Sequence, residues 1–492
     1  MDYLLTGGTV VNEGQCVPAS VWIRDGRIAG VFAVADGVLS GDPTDGGACG
    51  AEALSGDPTV AVGGDPTGGG LSAVAGLSAA DAAALAKAER IDVRGCWILP
   101  GVIDDQVHFR EPGLTYKGDI RSESRAAVAG GVTSYMEMPN TKPPTLTQAL
   151  LQEKYERAAE VSLANYSFYM GCSEDNLDEV LKTDPRRVCG IKIFLGSSTG
   201  NMLVSSDDYI ENLLRQAPTL VAAHCEDEAI MAANTAAVKA QYGEEPPFSV
   251  HPLIRSAEAC YRSSARAAEI ARRAGGRLHI LHLSTARELS LLDDAPLEEA
   301  RITGEVCVHH LWFTDRDYAQ RQGFIKWNPA VKTEADRAAL REAVRQGRVI
   351  VATDHAPHAL EEKQRPYFSC PSGGPLVQHS LQLMLEMVRQ GVFSVEEVVE
   401  AMCHRPARLF AVEDRGFLRP GYHADLVVVQ SDEAPHTEPV HYKCGWSPLA
   451  DQLFTTRVRY TFVNGHKVYD RGHFAGDEGE DFPRGERLTF NR

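Results

Sequence analysis

Five short apolar runs of this chain each carry, at or near their end, a side chain that can bind a metal ion. These side chains are His108, Lys192, His224, His282 and Asp354. Each run has the length and apolar character of one buried strand of a parallel sheet. The intervals between them are close to small multiples of the roughly 30 residues that a strand and its crossover helix occupy. The pattern therefore predicts parallel strands that share a metal site.

Three further β-rich runs fill the gaps between these five. The eight predicted strands start near Ile103, Val132, Asn165, Cys189, Leu220, Leu278, Ile302 and Val349. Parallel strands closed into a barrel place all their C-terminal ends at one face, where side chains from distant sequence positions can meet. We therefore predict an α/β fold in which residues 100–412 form a TIM-like (β/α)8 barrel.

The two ends of the chain predict a second module. Residues 1–99 contain short alternating strands, and residues 413–492 contain an apolar run at 424–429 and an Asn464-Gly465 hairpin signal. Neither end has enough strands to bury a sheet face by itself. We therefore expect both ends to form one composite β-sandwich that flanks the barrel.

Residues 36–90 differ in composition from both modules. The string SGDPT occurs at residues 40–44 and again at 55–59, within sequence that is rich in glycine and alanine. Such sequence cannot bury enough apolar area to offset its chain entropy. We predict a flexible low-complexity surface insertion, in which the alanine-rich stretch 79–88 favours a helix.

Composition restricts the classes of partner. The formal net charge of −18 argues against nucleic acid and anionic membranes, since both attract clustered cations. Local basic residues such as Arg110 and Lys117 can still attract a small anionic substrate. The 11 cysteines form no C-x-x-C pair, so reduced thiols are expected. Neither a basic leader nor a run of membrane-spanning length is present, and we expect a cytoplasmic protein.

Four strings resemble the dihydroorotase family of the amidohydrolase superfamily. They are HFREPG at 108–113, MPNT at 138–141, KIFLGSSTGNM at 192–202 and DHAPH at 354–358. The resemblance covers the chain except the insertion. It implies the reversible hydrolysis of L-dihydroorotate to N-carbamoyl-L-aspartate, a cyclic amide hydrolysis of de novo pyrimidine biosynthesis.

The resemblance also implies a zinc centre of one or two ions. Its ligands would be His108, Lys192, His224, His282 and Asp354. A divalent ion acidifies a bound water and polarises the carbonyl, which an unstrained amide requires at neutral pH. An ammonium group cannot bind a cation, so the resemblance implies that Lys192 is N6-carboxylated and bridges the ions.

Asp354 is the implied general base and acid of the reaction, and four residues are implied to bind the substrate. Arg110 offers a planar fork that suits a carboxylate. Asn140 and His358 match family positions that hold the same carboxylate, and Asn328 matches one that contacts the ring. His309 and His310 also end a strand, and we assign them a supporting or structural role.

Each of these residues also has a structural interpretation. Lys192 could be ion-paired at a strand end, and His224 and His282 could be hydrogen-bonded core histidines. Asp354 could cap the turn before Pro357. Arg110 could form a surface salt bridge with Glu111 or Asp119, and Asn140 could be a turn residue.

One residue departs from the family pattern. Gln106 stands where the family has the first histidine of an H-x-H pair, and an amide oxygen is a weaker ligand than an imidazole nitrogen. Three outcomes stay open: a two-metal enzyme with a weakened site, a one-metal enzyme that uses His224, His282 and modified Lys192, or a catalytically silent relative.

Three functions therefore compete. A dihydroorotase explains Arg110 and Asn140, because its substrate carries a carboxylate. An allantoinase or hydantoinase would act on a neutral ring and would not require Arg110. A silent partner protein would explain Gln106. In each case related barrels lead us to expect a homo-oligomer.

Overall fold

The computed structural model describes residues 2–33, 77–196, 202–477, 479 and 481–492. Its strands, in chain order, are β1 (Tyr3–Asn12), β2 (Gln15–Arg24), β3 (Arg27–Ala33), β4 (Glu89–Asp92), β5 (Cys96–Pro100), β6 (Val102–Val107), β7 (Val132–Glu137), β8 (Asn165–Phe168), β9 (Met170–Gly171), β10 (Ile191–Phe194), β11 (Val221–His224), β12 (Leu278–Ile280), β13 (Ile302–Cys307), β14 (Ile350–Ala352), β15 (Leu426–His436), β16 (Phe454–Val463), β17 (His466–Asp470) and β18 (His473–Phe474).

Helices follow most of the strands of the central region. In chain order they are α1 (Ala79–Lys87), α2 (Ile120–Ala129), α3 (Gln148–Val161), α4 (Leu177–Val180), α5 (Asp207–Gln216), α6 (Glu228–Tyr242), α7 (His251–Ile254), α8 (Ala257–Ala274), α9 (Val308–Trp312), α10 (Tyr318–Arg321), α11 (Glu334–Arg345), α12 (Leu360–Lys363), α13 (Ser380–Arg389), α14 (Val395–Val399) and α15 (Arg405–Phe410).

The longer helices begin at side chains that cap their free backbone N–H groups. Asp119, Thr147 and Ser256 each accept a hydrogen bond from the first turn of α2, α3 and α8. Within the described residues, no helix combines the length and apolar character needed to cross a bilayer. The ten cysteines among these residues are free, as the sequence predicts.

All eight strands predicted for the central region are present and parallel. Together with the two-residue strand β9, they form a three-stranded sheet, β6-β7-β8, and a six-stranded sheet in the order β14-β13-β12-β11-β10-β9. Their residues are buried along their whole length, as expected for parallel strands covered on both faces. The prediction of a parallel α/β fold is confirmed.

The two sheets approach each other at both edges. Only Tyr169 separates β8 from β9 along the chain. At the other edge Val107, the last residue of β6, forms a parallel bridge with His355, which follows β14. The backbone N–H of His108 donates to the carbonyl of His355 over 2.7 Å. No single closed eight-stranded sheet is detected in the described residues, so closure of the barrel stays a prediction.

Both ends of the chain contribute to one nine-stranded sheet. Its order is β18-β17-β16-β15-β5-β1-β2-β3, with β4 paired to β1. Strand β5 joins the two halves, since Trp97 lies opposite Thr9 on one side and Val429 on the other. The ends thus build a composite β-structure, while its division into a two-layer sandwich stays a prediction.

Residues 36–76 of the predicted insertion lie outside the described residues. The alanine-rich stretch after them forms α1, as its composition predicts. Leu85 of α1 is buried against Leu4 and Trp22 of the nine-stranded sheet. The last residues of the predicted insertion, 89 and 90, belong to β4.

Candidate active site

Four of the five candidate ligands lie at or just after the C-terminal ends of the parallel strands, and the fifth, Lys192, is the second residue of β10. His108 follows β6, Lys192 lies in β10, His224 ends β11, and His282 and Asp354 come two residues after β12 and β14. All five are buried. His108 Nε2 lies 3.2 Å from Asp354 Oδ1, and His224 Nδ1 lies 3.0 Å from His282 Nε2. The structure thus groups four of the ligands into the pairs His108–Asp354 and His224–His282. Lys192 is the fifth.

Lys192 links the two pairs electrostatically. Its charge lowers the pKa of His108, His224 and His282, although burial is the larger cause for each. Its own Nζ has no hydrogen-bond partner among the described residues, and the side chain is 1% exposed. Burial lowers the pKa of Lys192 to about 7. The interpretation of an ion-paired lysine therefore finds no partner, and the amine is partly neutral at neutral pH.

The histidine pair is held in the neutral form that binds metals. The rings of His224 and His282 are 4.8 Å apart and nearly perpendicular. Burial, and repulsion from His224 whenever that ring is protonated, lower the pKa of His282 well below its ordinary value, and His282 Nδ1 has no hydrogen-bond partner in the described part of the chain. Nδ1 of His282 is therefore available to a ligand, while its Nε2 contacts His224.

Glu226, which the sequence analysis missed, supports the pair. Its Oε2 lies 3.1 Å from His224 Nε2, and it also pairs with Arg255. Burial raises the pKa of Glu226, but Arg255 and His224 together bring it to about 2. The carboxylate therefore stays ionised beside His224. A carboxylate two residues after a strand-end histidine is the signal that could have found it.

Gln106 contacts Asp354 rather than facing away from the site. Its Nε2 donates to Asp354 Oδ1 over 3.4 Å, next to the contact of the same oxygen with His108. On its other side, the Sγ of Cys307 lies 3.8 Å from Gln106 Oε1. The amide thus orients the carboxylate on one side and offers its oxygen on the other.

Three candidate site residues have a left-handed backbone. Arg110 has φ of 71°, His282 of 41° and Asp354 of 48°. Each such conformation costs a residue with a Cβ about 1–2 kcal/mol. Strain of this kind persists where the surrounding structure holds it, and it is frequent at active sites.

A cluster of basic side chains lies beside this centre. Arg110 is 8% exposed; its Nε donates to the carbonyl of Pro357 over 3.0 Å, and its Nη2 lies 3.1 Å from His358 Nε2. Lys117 Nζ lies 2.9 Å from His358 Nδ1 and 3.2 Å from Glu362. Lys117 is thus a further candidate for binding an anion, which its basic character already suggested.

Among the described residues, Arg110 forms no salt bridge with Glu111 or Asp119, the partners that its structural interpretation requires. Glu111 pairs instead with Arg157 over 2.8 Å, and Asp119 pairs with Lys443 over 2.6 Å. The guanidinium of Arg110 is therefore not neutralised by either carboxylate.

The two asparagines behave differently. Asn140 Oδ1 lies 2.8 Å from His108 Nδ1, so its amide orients the imidazole. Asn328 is half-buried, and its Oδ1 has no hydrogen-bond partner among the described residues. Asn328 is therefore the asparagine whose side-chain oxygen is available to a ligand.

Comparison with known proteins agrees with this geometry. Residues 97–468 match the model of the amidohydrolase family. The chain is 33% identical to a dihydroorotase of Halobacterium salinarum over 389 residues, 78% of this chain and 89% of the relative. It is 32% identical to a dihydroorotase of Pyrococcus furiosus, over 80% of this chain and 86% of the relative.

Solved structures give the same fold at lower identity. An L-hydantoinase of Arthrobacter aurescens superposes with a TM-score of 0.82 at 24% identity and covers 99% of both chains. A dihydropyrimidinase of Brevibacillus agri superposes with a TM-score of 0.77 at 20% identity and covers 96% of both chains. At these identities the likeness describes the fold alone.

Proposed function

Because the chain belongs to the amidohydrolase family, and because curated relatives with 33% and 32% identity are dihydroorotases, we propose that it is a dihydroorotase. It interconverts L-dihydroorotate and N-carbamoyl-L-aspartate by adding water to, or removing it from, a cyclic amide. The observation that carries the proposal is the buried Arg110–His358–Lys117 cluster beside His108 and Asp354. A carboxylate next to the reacting amide is what separates dihydroorotate from hydantoin.

The residues present fit a divalent metal centre. Lys192 Nζ and His282 Nδ1 are buried without hydrogen bonds among the described residues, which costs free energy that ligation would offset. We propose that zinc is held by His108, Asp354, His224, His282 and N6-carboxylated Lys192, as one or two ions. When bound, the metal acidifies water and polarises the carbonyl.

The chain's own residues bind the substrate and move the proton. Arg110, His358 and Asn140 hold the carboxylate, and Asn328 contacts the ring. Asp354 takes a proton from the attacking water and delivers it to the departing amide nitrogen. His108, positioned by Asn140, and Gln106 keep the Asp354 carboxylate oriented for both transfers.

A lysine with a pKa of about 7 supports the carboxylation of Lys192. Only the neutral amine can attack carbon dioxide, and an ordinary lysine would be almost entirely protonated at neutral pH. The carbamate formed is an anion, so it also replaces a buried cation that has no partner. The intact mass of the peptide that contains Lys192 tests this directly.

Ring-opening assays test the proposed function. The purified protein, with zinc and bicarbonate added, is assayed with dihydroorotate, hydantoin and allantoin. A dihydroorotase opens dihydroorotate with the highest kcat/KM. A preference for hydantoin or allantoin would instead establish the alternative that the fold neighbours suggest, and no turnover of any ring would establish the silent relative to which Gln106 points.

Other features of the chain stay predictions from the sequence. They are closure of the barrel, its extent over residues 100–412, the sandwich built from 1–99 and 413–492, the flexible insertion at 36–90, a cytoplasmic location and assembly into a homo-oligomer. Size-exclusion chromatography with light scattering tests the last of these.

A further inference from the structure

A second group of side chains able to bind a metal lies at the end of β13, the strand between β12 and β14 in the six-stranded sheet. Cys307 ends this strand, and His309 and His310 lie in the short helix α9 that follows. One potential ligand atom from each residue lies within 4.8 Å of the other two, and all three residues are buried. None of them belongs to the five ligands proposed for the catalytic centre.

Three of the four imidazole nitrogens of this group lack a hydrogen-bond partner among the described residues. Neither ring nitrogen of His309 has a hydrogen bond in the described part of the chain, and neither does Nδ1 of His310. His309 is 0% exposed and His310 is 2% exposed. A buried polar atom left without a partner costs free energy, so several such atoms around one point indicate a missing ligand.

The surrounding structure fixes the directions of the donors. The His309 ring stacks on Trp327 at 4.4 Å with an angle of 15° between the planes. His310 Nε2 lies 3.3 Å from the carbonyl of Pro329, which leaves Nδ1 as its free nitrogen. Burial lowers the pKa of His310 to about 3, so the ring is neutral and able to bind a cation. Rings held in this way are preorganised for a ligand.

The donor set selects the class of ion. One thiolate and two imidazoles are the ligands that zinc and its neighbours in the transition series prefer, whereas calcium and magnesium prefer oxygen. A fourth donor is at hand, because Gln106 Oε1 lies 3.8 Å from Cys307 Sγ. Coordination would release the thiol proton of Cys307 to solvent as the sulfur–metal bond forms.

Another buried group is less suited to a metal. Asp105, His279 and Glu305 also approach within 4.8 Å of one another. Both ring nitrogens of His279 already have partners, since Nδ1 lies 2.9 Å from Thr303 Oγ1 and Nε2 lies 3.3 Å from Glu305. Its imidazole is therefore already hydrogen-bonded without an ion, whereas neither ring nitrogen of His309 is.

We propose that Cys307, His309 and His310 bind a zinc ion, with the amide oxygen of Gln106 as a weak additional ligand. Gln106 stands between this site and the catalytic centre, because its Nε2 contacts Asp354 while its Oε1 faces Cys307. The residue that replaces a ligand histidine of the family thus connects the two sites. The site exists whether or not the catalytic proposal is correct.

Cobalt substitution of the full chain tests the site. The protein is stripped of metal and reloaded with Co²⁺, whose bond to a thiolate gives a charge-transfer band in the near ultraviolet. The wild-type protein is expected to show this band, and its absence would overturn the proposal without any variant. Cys307→Ser is expected to lose the band and to bind about one metal equivalent fewer per chain than wild type.

Two further variants make the test specific. Cys403→Ser alters another buried cysteine, which contacts the carbonyl of Pro100 at the opposite end of β6, and it should retain both the band and the metal content. Lys192→Met should lose metal from the catalytic centre and keep the band. A band that survives Cys307→Ser, or that disappears in Lys192→Met, would refute a separate site at Cys307. Circular dichroism of each variant identifies any loss of fold.

Discussion

Replacement of Arg110 by alanine is the sharpest test of substrate choice. The guanidinium is buried, and its Nε and Nη2 are held by Pro357 and His358. No described residue accepts a hydrogen bond from Nη1, which leaves that group for a substrate carboxylate. The side chain is thus preorganised, so little conformational entropy is lost when an anion binds.

The magnitude follows from the strength of a charge-assisted hydrogen bond. Such a bond contributes about 1.5–3 kcal/mol, and each 1.4 kcal/mol is a factor of ten, so Arg110→Ala is expected to lower kcat/KM for dihydroorotate about 10- to 150-fold. Hydantoin lacks the carboxylate, and its kcat/KM should fall less than about 3-fold. Arg110→Lys keeps the charge but loses the fork, and an intermediate loss is expected.

Steady-state kinetics with both substrates measure this difference. Arg316→Ala, at an exposed arginine, is the control for a change of net charge. Thermal unfolding of each variant is needed as well, because removing Arg110 leaves the carbonyl of Pro357 without its donor, at a cost of about 1–3 kcal/mol. Equal losses with dihydroorotate and hydantoin would show that Arg110 maintains the fold and does not bind the carboxylate.

Three further outcomes are expected. Asp354→Asn should abolish turnover while the metal content measured by mass spectrometry stays at least half that of wild type; an unchanged rate would remove Asp354 from the mechanism. With zinc added and the dissolved carbon dioxide held constant, metal-free, decarboxylated protein should reactivate faster as the pH rises through about 7, the lowered pKa of Lys192, and the rate should level off above it; a rise that continues towards pH 10.5 would indicate an ordinary lysine. Arg255→Ala should lower the free energy of unfolding at pH 7 by about 3–5 kcal/mol, because Glu226 stays buried without its cation. Since the pKa of Glu226 is depressed to about 2, this stabilisation is present above pH 4.5 and should disappear as the pH falls towards 2, which urea titrations at several pH values measure.

The order of the parallel strands could be predicted because burial on both faces leaves a strong sequence signal. Runs such as Val221–His224 are apolar throughout and end at a polar side chain, so the ends can be aligned by inspection. The sequence predicts that the two ends of the chain share one β-structure, because neither end has enough strands to bury a sheet face. It does not predict that β5 and β15 are the strands that pair.

The contacts within the site were harder to predict. The sequence predicts that Asn140 binds the substrate, which stays a prediction, but it does not predict the contact of the Asn140 oxygen with His108. Whether an amide turns towards one neighbour or another depends on side-chain rotamers and on the approach of distant strands, which no local pattern encodes. The same holds for Gln106, whose two faces contact residues roughly 200 and 250 positions away in the sequence.

The position of β5 has a consequence for biosynthesis. Its partner β15 leaves the ribosome several hundred residues later, which at about 5–20 residues per second means a delay on the order of tens of seconds. During this interval one edge of β5, with Trp97 and Ile98, has only water or other chains to pair with. Slow translation of the nascent polypeptide would lengthen that exposure, so yield on overexpression should respond to chaperone supply more than to any substitution at the metal centre.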